Sequence, residues 1–480
     1  MNFAVYLRKI PRISLIAALA RKRNINVWLV GGFLRDTYLG RRKQLCDFDF
    51  CVEKNTLSVV KEFAKSISAK FIVLDDAQKS YRVILKKKNI VYTYDFSLMR
   101  AESFRDDLAL RDFSINTLAV NLKGPRNKLI DYFGAREDID SKLIRVIGNQ
   151  VLRHDPLRIL RAFSFAANYC FSIEHKTLDA IIKYRRLIKK VSSERINEEL
   201  FKILGAESSF KTIKMMSDLK IIDEVIPCIT RTRRVFQGAY HHLDVWEHSL
   251  ETLRQFELLY SRKLKRNQEI LAYLLENVSS GHRRLQILKL SCILHDIGKP
   301  QARKRVKKKT IFHTHEKIGY ALAEKFAIAL RFSLREIDIL KKLIFWHLRP
   351  GYLADQINPS KRAIYHFFRD TGEEGVAVIL LSLSDWRATR GPLTNAQKRK
   401  LHEKIMFGLI DEYFLEKKKK PLPKIVDGHD IMRKFKIGSG PVIGVILKKI
   451  KEEQALGKLK NKSDAYRLAK AIIRKNETLK

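Results

Sequence analysis

The chain has 480 residues, 45% of them hydrophobic, which is enough to bury cores for about three or four domains and too apolar for a disordered chain. No apolar run reaches the roughly 18 residues a membrane-spanning helix needs. Lys and Arg outnumber Asp and Glu by 95 to 52, a formal charge of +43, so a polyanionic partner is expected, and RNA fits best. From the N-terminus, the apolar piece 13–20 is bracketed by Arg12 and Arg21-Lys22-Arg23, predicting a first helix packed on the next strand rather than a secretory signal. Val27-Trp28-Leu29-Val30 reads as a buried strand, broken by Gly31-Gly32, where the backbone can approach a ligand closely. Arg35-Asp36 and Leu39 follow in a short helical turn that Gly40 ends, and a second strand carries Asp47 and Asp49. Residues i and i+2 of a strand share a face, so both carboxylates project into one site. Two such charges are costly without a cation between them, and Mg²⁺ prefers carboxylate oxygen. An Asp-x-Asp pair alone is commoner on a solvated strand, and Gly-Gly alone is usually a turn.

Taken together, residues 27–50 resemble the signature of the class II tRNA nucleotidyltransferase and bacterial poly(A) polymerase family. The resemblance implies a polymerase-beta-like nucleotidyltransferase head. Asp47 and Asp49 would be catalytic ligands of Mg²⁺ there, and Gly31, Gly32 and Arg35 would face the nucleotide. Downstream, the pattern predicts a helix at 56–68 and strands at 71–74, 81–85 and 90–96. Asp95 sits on the last of these and is the family's implied third catalytic carboxylate, although it could equally cap the following turn. The segment Asp107-Leu108-Ala109-Leu110-Arg111-Asp112-Phe113-Ser114-Ile115-Asn116 resembles the family's second motif. Leu110 replaces its first arginine, leaving Arg111 for the triphosphate, while Asp112 and Asn116, four apart on one helical face, are placed for ribose hydroxyls. A capped amphipathic helix is the bland alternative. Asp131-Tyr132-Phe133-Gly134 and Asp138…Arg145 match the family's hinge between head and neck.

From about residue 140 the pattern turns helical. In Arg153-His154-Asp155-Pro156-Leu157-Arg158-Ile159-Leu160-Arg161, Pro156 suits a first helical turn behind Asp155 as cap. Arg158 and Arg161 share one face. The stretch resembles the family's nucleotide-selecting motif Glu-Asp-x-x-Arg, with His154 in place of the glutamate; Asp155, Arg158 and Arg161 are its implied base and triphosphate contacts. A cap plus a surface ion pair is the alternative. Glu194-Arg195 with Glu198-Glu199-Leu200 is also family-like.

Histidines then concentrate: His241, His242 and His248, then His295-Asp296, His313, His315 and His347, with Asp385 far downstream. Any one alone is more often structural. In this order, His248, His295, Asp296 and Asp385 resemble the ligands of HD-superfamily phosphohydrolases, for a divalent transition metal, and His315 and His347 would allow a second. Five cysteines (Cys46, Cys51, Cys170, Cys228, Cys292) show no ligand spacing and predict reduced thiols in the cytoplasm. Lysine tracts at 86–88, 307–309 and 417–420 read as solvated loops, and Gly438-Ser439-Gly440-Pro441 as a turn before a helix at 442–452.

The expected architecture is multidomain α/β plus all-α: head 1–138, helical neck 139–225, all-helical HD domain 226–400 and basic helical tail 401–480. The resemblance spans roughly 25–455 and implies addition of CCA, or part of it, to tRNA from CTP and ATP without a template. Only Ala101 to Asp106 separates Arg100 from the second motif. Full CCA-adding relatives often carry a longer loop there, and CC-only relatives a short one. The alternatives are CC-only or A-only addition, a poly(A) polymerase, a phosphohydrolase whose head only binds RNA, and a non-catalytic RNA-binding protein. No membrane contact is expected.

Overall fold

The computed structural model describes residues 3–41, 46–88, 90–124, 128–148, 150–238, 241–279, 281–306, 309–356, 358–393, 395–419 and 422–477. Lys307, Lys308 and Lys420 of the lysine tracts lie outside them. The chain divides into two compact units, Met1–Val225 and Ile226–Lys480.

The first unit is built on a six-stranded mixed sheet ordered β3-β4-β5-β2-β1-β6. Its strands are β1 (Val27–Val30), β2 (Asp47–Val52), β3 (Phe71–Asp75), β4 (Ser80–Lys87), β5 (Ile90–Leu98) and β6 (Ala119–Asn121). Period-two alternation decides its two faces. Phe48 and Phe50 of β2 and Tyr94 and Phe96 of β5 point one way, Phe50 stacking on Phe96 at 4.9 Å. Phe63 of the helix Thr56–Ser66 closes on that layer, 5.2 Å from Tyr94 and 5.7 Å from Phe96. Burying such rings is the largest local gain the segment can make, so the intervening Asp47, Asp49 and Asp95 are left on the opposite face. The apolar piece near the N-terminus forms the helix Ile13–Lys22, which touches β1 and the helix Thr56–Ser66.

The second-motif segment departs from the expected helix. The helix Phe104–Ala109 stops early; Phe113 is extended (φ −129°, ψ 150°) and bridges Val146, and Ser114–Asn116 is a single 3-10 turn. Asp112 and Asn116 therefore do not share an α-helical face. Phe113 is fully buried, and its burial outweighs one more helical turn.

Helices follow, chief among them Leu157–Tyr169 and Ser193–Gly205, which pack together. The second unit carries the long helices Val245–Arg262, Arg284–Leu294, His315–Ala329, Leu334–Trp346 and Gly375–Ala388. Toward the C-terminus, Ile431, Ile446, Ile450, Ala465 and Ala469 form a smaller core. Among the described residues, three two-stranded ribbons interrupt the helical regions, an addition to the all-helical neck and HD expectation. They are Leu143–Ile144 with Ser172–Ile173, Asn277–Ser279 with His282–Arg283, and Lys304–Val306 with Lys309–Ile311. The latter two each close an interhelical loop, whereas the first joins in parallel two segments separated by the helices Gln150–His154 and Leu157–Tyr169; all three pair backbone groups that would otherwise need water.

Candidate active sites

β1 ends at Gly31, whose φ of +79° suits glycine. A Cβ there would lie 3.4 Å from Asp49 Oδ2 and 3.5 Å from an Arg111 guanidinium nitrogen, so the turn also clears room between these charges. Gly31→Ala should cost about 1–2 kcal/mol of stability from backbone strain and crowd the Asp49 carboxylate and the Arg111 guanidinium. A thermal melt with an activity assay would show both losses, and wild-type values in the two would refute this role.

The sheet register assembles the acidic face. Parallel pairing of β2 with β5 sets Asp47 beside Thr93 and Asp49 beside Asp95, and antiparallel pairing sets Asp95 beside Arg82. Thr93 donates its hydroxyl to Asp47, and Arg82 clasps Asp95 through two bonds of 2.7 Å. Asp49 reaches solvent at the floor of a cleft, yet desolvation there raises its pKa; Arg111 opposes that rise, and Asp95 and Asp47 reinforce it. Asp47, Asp49 and Asp95 thus lie on one sheet face, Asp95 clasped by Arg82 and Asp49 pushed toward its neutral form chiefly by desolvation, and carboxylate oxygens are the donors a hard divalent cation takes.

Gly31, Gly32, Arg35, Asp49, Arg111, Asp112, Asn116 and Arg161 all line one cavity of about 320 Å³. Its electrostatics are layered. Asp112 Oδ1 accepts from Asn116 and from the Phe113 amide, both at 2.8 Å, and Oδ2 takes Arg161 at 2.7 Å. Burial would raise the Asp112 pKa, but Arg161 and these hydrogen bonds hold it below the ordinary carboxylate value. Arg35 donates to Asn116 Oδ1 at 2.5 Å, to Asp36 at 3.0 Å and to Tyr169, and lies over the Tyr169 ring at 4.5 Å. With those partners it serves as a strut of the cavity wall. Arg111, by contrast, keeps a buried Nε with no hydrogen-bond partner, a donor awaiting an acceptor.

Glu199 of the family-like Glu198-Glu199-Leu200 also lines it, and Ser164, Phe165 and Lys202, which were not among the residues singled out from sequence, complete the lining. Phe165 follows Arg161 by four residues, and the Arg161 guanidinium lies 5.3 Å from its ring, so helical spacing alone could have found it. Asp155 and Arg158 stand apart from that cavity. Asp155 borders a separate cleft of about 620 Å³. Its Oδ1 accepts from the Leu157 amide at 3.3 Å, where the helix Leu157–Tyr169 begins behind Pro156. Oδ2 lies 2.9 Å from Arg195 and 3.8 Å from Arg158, and Arg158 also donates to the Leu110 carbonyl at 2.9 Å.

In the second unit all six predicted ligands converge. Asp296 is the pivot. Oδ2 lies 3.1 Å from His295 Nε2 and 3.8 Å from His248 Nε2, while Oδ1 lies 3.4 Å from His315 Nε2 and 3.8 Å from His347 Nε2. Asp385 closes the first half at 2.8 Å from His248. His248-His295-Asp296 and Asp296-His315-His347 are each close enough to hold one ion. His295, His315 and His347 direct Nδ1 at the carbonyls of Cys292, Phe312 and Ile344, at 3.0, 2.8 and 2.7 Å. These contacts fix Nδ1 as the protonated nitrogen and leave Nε2 as the ligand atom. His295 Nε2 and both Asp296 oxygens are buried and make no regular hydrogen bond, only ion-pair contacts. The residues therefore fit one or two divalent metals.

Burial pushes the His347 pKa down to about 3, so its ring is neutral and ready to ligate. An unfolded chain takes up that proton near pH 6.5. Because the unfolded state then binds more protons, the metal-free fold should lose stability as pH falls from 6.5 toward 3. Urea melts across that range should show the fall in wild type and a shallower one in His347→Gln; equal slopes would refute the assignment.

Residues 27–145 match the family model for the poly A polymerase head domain, 170–232 the probable RNA and SrmB-binding site of polymerase A, and 245–390 the HD domain. An A-adding tRNA nucleotidyltransferase of Deinococcus radiodurans is 26% identical, covering 91% of this chain and 93% of its own. A CC-adding tRNA nucleotidyltransferase of Thermus thermophilus is 25% identical over 91% of each. In fold, the chain is similar to a solved CCA-adding enzyme with ATP, at a TM-score of 0.68 and 20% identity, over 98% of this chain and 99% of that one. Among the described residues no helix is long and apolar enough to cross a membrane.

Proposed function

We propose that this chain, which belongs to the class II tRNA nucleotidyltransferase and poly(A) polymerase family with an HD domain, extends tRNA 3′ ends with CCA or part of it. CTP and ATP are the nucleotide substrates. The observation that carries this is the Asp47–Asp49 face opening beside the cavity walled by Arg111 and Arg161. Bound Mg²⁺ would lower the pKa of the attacking ribose hydroxyl and neutralise charge on the transferred phosphate. The chain's own groups do the rest. Asp47 and Asp49 would hold the cation, and Asp95, in register with Asp49 and clasped by Arg82, would add its charge to that face. Arg111, through its unpaired Nε, and Arg161 bind the triphosphate and offset the charge that grows as the bond to the leaving pyrophosphate breaks. Gly31 and Gly32 let the backbone approach the phosphates.

Asp155 and Arg158 select the base. Cytosine and adenine each present an amino donor beside an unprotonated ring nitrogen, which a carboxylate and a guanidinium match; uracil and guanine present the reverse. Such a bidentate pair discriminates by roughly 1–3 kcal/mol. Asp155→Ala should therefore relax exclusion of UTP and GTP by about 10- to 100-fold, and unchanged selectivity would remove the pair from the mechanism. The head (1–138) and neck (139–225) act together in this reading, and the HD domain (226–400) and basic tail (401–480) serve processing and RNA contact. The site of action in this reading is the cytoplasm, whose reducing conditions keep cysteines as thiols.

The deciding assay supplies a tRNA ending at its discriminator base with CTP and ATP together. Three added nucleotides mean full CCA addition. A specific observation favours a second reading, CC-only addition. The segment that is often a longer loop in CCA-adding relatives is short and tied here: Asp107 accepts from the Arg100 amide at 2.8 Å and from its side chain at 3.3 Å. A product two nucleotides longer would convict it, and no product until CC is present would mean A-only addition. With a charge of +43, tRNA binding should weaken steeply with salt, log K falling by about 0.7–0.9 per phosphate contact for each unit of log salt. A flat response would count against an electrostatic RNA surface.

At the second site, His248, His295, Asp296 and Asp385 would hold a transition metal, with His315 and His347 for another, and the metal would supply phosphohydrolase chemistry. Phosphorylated or cyclic-phosphate RNA ends are its substrates, since those block nucleotide addition.

A further inference from the structure

We propose that Arg195 is a positioning residue that couples RNA binding to nucleotide selection: it holds Asp155 while no RNA is present and gives it up to an RNA phosphate. The proposal rests on Asp155 reading the base. In this structure that carboxylate is already occupied, Oδ1 by the Leu157 amide at 3.3 Å and Oδ2 by Arg195 at 2.9 Å, nearer than its selection partner Arg158 at 3.8 Å. Arg158 in turn donates to the Leu110 carbonyl at 2.9 Å. Both base-reading groups are thus engaged with the protein itself, and a nucleotide must displace those contacts to be read.

Arg195 stands on the helix Ser193–Gly205 and lines the roughly 620 Å³ cleft with Arg153, His154, Lys190, Ser192 and Asp155. Three of these are fixed cations, and His154 stands where the family motif has a glutamate, so the cleft has lost an acidic group and suits a phosphodiester. Its position within residues 170–232, matched to the RNA-binding family model, places Arg195 and Lys190 on a chain segment of that kind. The Arg195 side chain is half exposed, and an ion pair of that sort is held weakly. A phosphate entering among Arg153, Lys190 and Arg195 competes with Asp155 for the guanidinium, and Arg–phosphate pairing is frequently bidentate. Once released, Asp155 is free to accept from a base amino group. The coupling is reciprocal: correct nucleotide would strengthen RNA binding by the same factor.

The test measures CTP and ATP affinity with and without a tRNA whose 3′ end is deoxy, so that no addition occurs. In wild type the RNA should tighten nucleotide binding by about two- to fivefold, the range a half-exposed ion pair supplies. Arg195→Ala should bind nucleotide at the tightened level without RNA and lose the dependence, with a melting midpoint near that of wild type; Arg195→Lys should restore part of it. In an Asp155→Asn background, Arg195→Ala should no longer change nucleotide affinity. If Arg195→Ala keeps the wild-type RNA dependence, or its effect persists in the Asp155→Asn background, the coupling is wrong. Asp155→Ala separates the two failures. Unrelaxed selection there would overturn the base-reading role and this inference together, whereas relaxed selection with unaltered coupling in Arg195→Ala overturns this inference alone.

Discussion

Asp49→Ala should reduce nucleotide addition by about a thousandfold or more, the scale of losing a centre that stabilises developing charge, while tRNA affinity stays near wild type. Asp49 lies at the crossing of everything the cavity offers: in register with Asp95, and 3.4 Å from the point where a Gly31 side chain would begin. Arg111 and Arg161 are among the charges that act on it. The sign of its pKa shift adds a control. A carboxylate whose folded pKa is raised, with desolvation as the main cause, gives up stability as pH rises past its unfolded pKa, unless a cation compensates. Wild type should therefore melt higher with added Mg²⁺, by about 2.7 kcal/mol at a hundred times the dissociation constant. Asp49→Ala should show a much smaller increment and no loss of stability in the metal-free state. Normal incorporation by the variant would sink the catalytic assignment, and an undiminished Mg²⁺ increment would move the cation elsewhere.

Asp296→Asn should empty the second site entirely and spare the first. One oxygen of Asp296 faces His295 and His248 and the other faces His315 and His347, so neutralising it weakens both candidate sites at once. Burial alone would raise the Asp296 pKa, but His295 and Lys299 hold it well below the ordinary value, keeping it charged as a ligand must be. Metal analysis should find up to two ions in wild type, none in Asp296→Asn, and one fewer in His347→Gln. Phosphate release from RNA ends should fall by about 100-fold or more in Asp296→Asn. Lys299, 2.6 Å from Asp296 and nearly buried, loses its counter-ion in this variant, so a destabilisation of about 3–5 kcal/mol is expected. His347→Gln avoids that cost and keeps the prediction testable. Nucleotide addition should persist in both variants, because residues 1–225, a compact unit of their own, carry the first site. If wild type binds no divalent metal and releases no phosphate with any common divalent ion, the histidine cluster is structural.

Much of the molecule follows from local pattern. The Val27–Val30 strand, the Gly31 turn and the Asp47/Asp49 alternation are short-range facts, because a strand's period of two places every second side chain on the same face whatever surrounds it. The same holds for the helices that carry the histidines, whose apolar runs specify helix without specifying neighbours. The tertiary structure alone decided who meets whom. Asp95 becomes a companion of Asp49 only through parallel pairing across 46 residues, a register no local signal encodes, and the same pairing rules bring Arg82 to clasp it. Phe113 overrode its helical surroundings because its ring found a buried seat against distant chain. Asp296 reads in sequence as one ligand among six, yet as a bridge between two histidine pairs only when four separate helices converge. Arg195 shows the same limit at the base-reading pair. Spacing places Asp155 beside Arg158 one turn on, but the closer cation comes from another helix, 40 residues away in sequence. Periodicity governs which face a side chain takes; long-range packing governs what stands opposite, since the apolar burial that sets it is non-directional and is satisfied only by the whole fold.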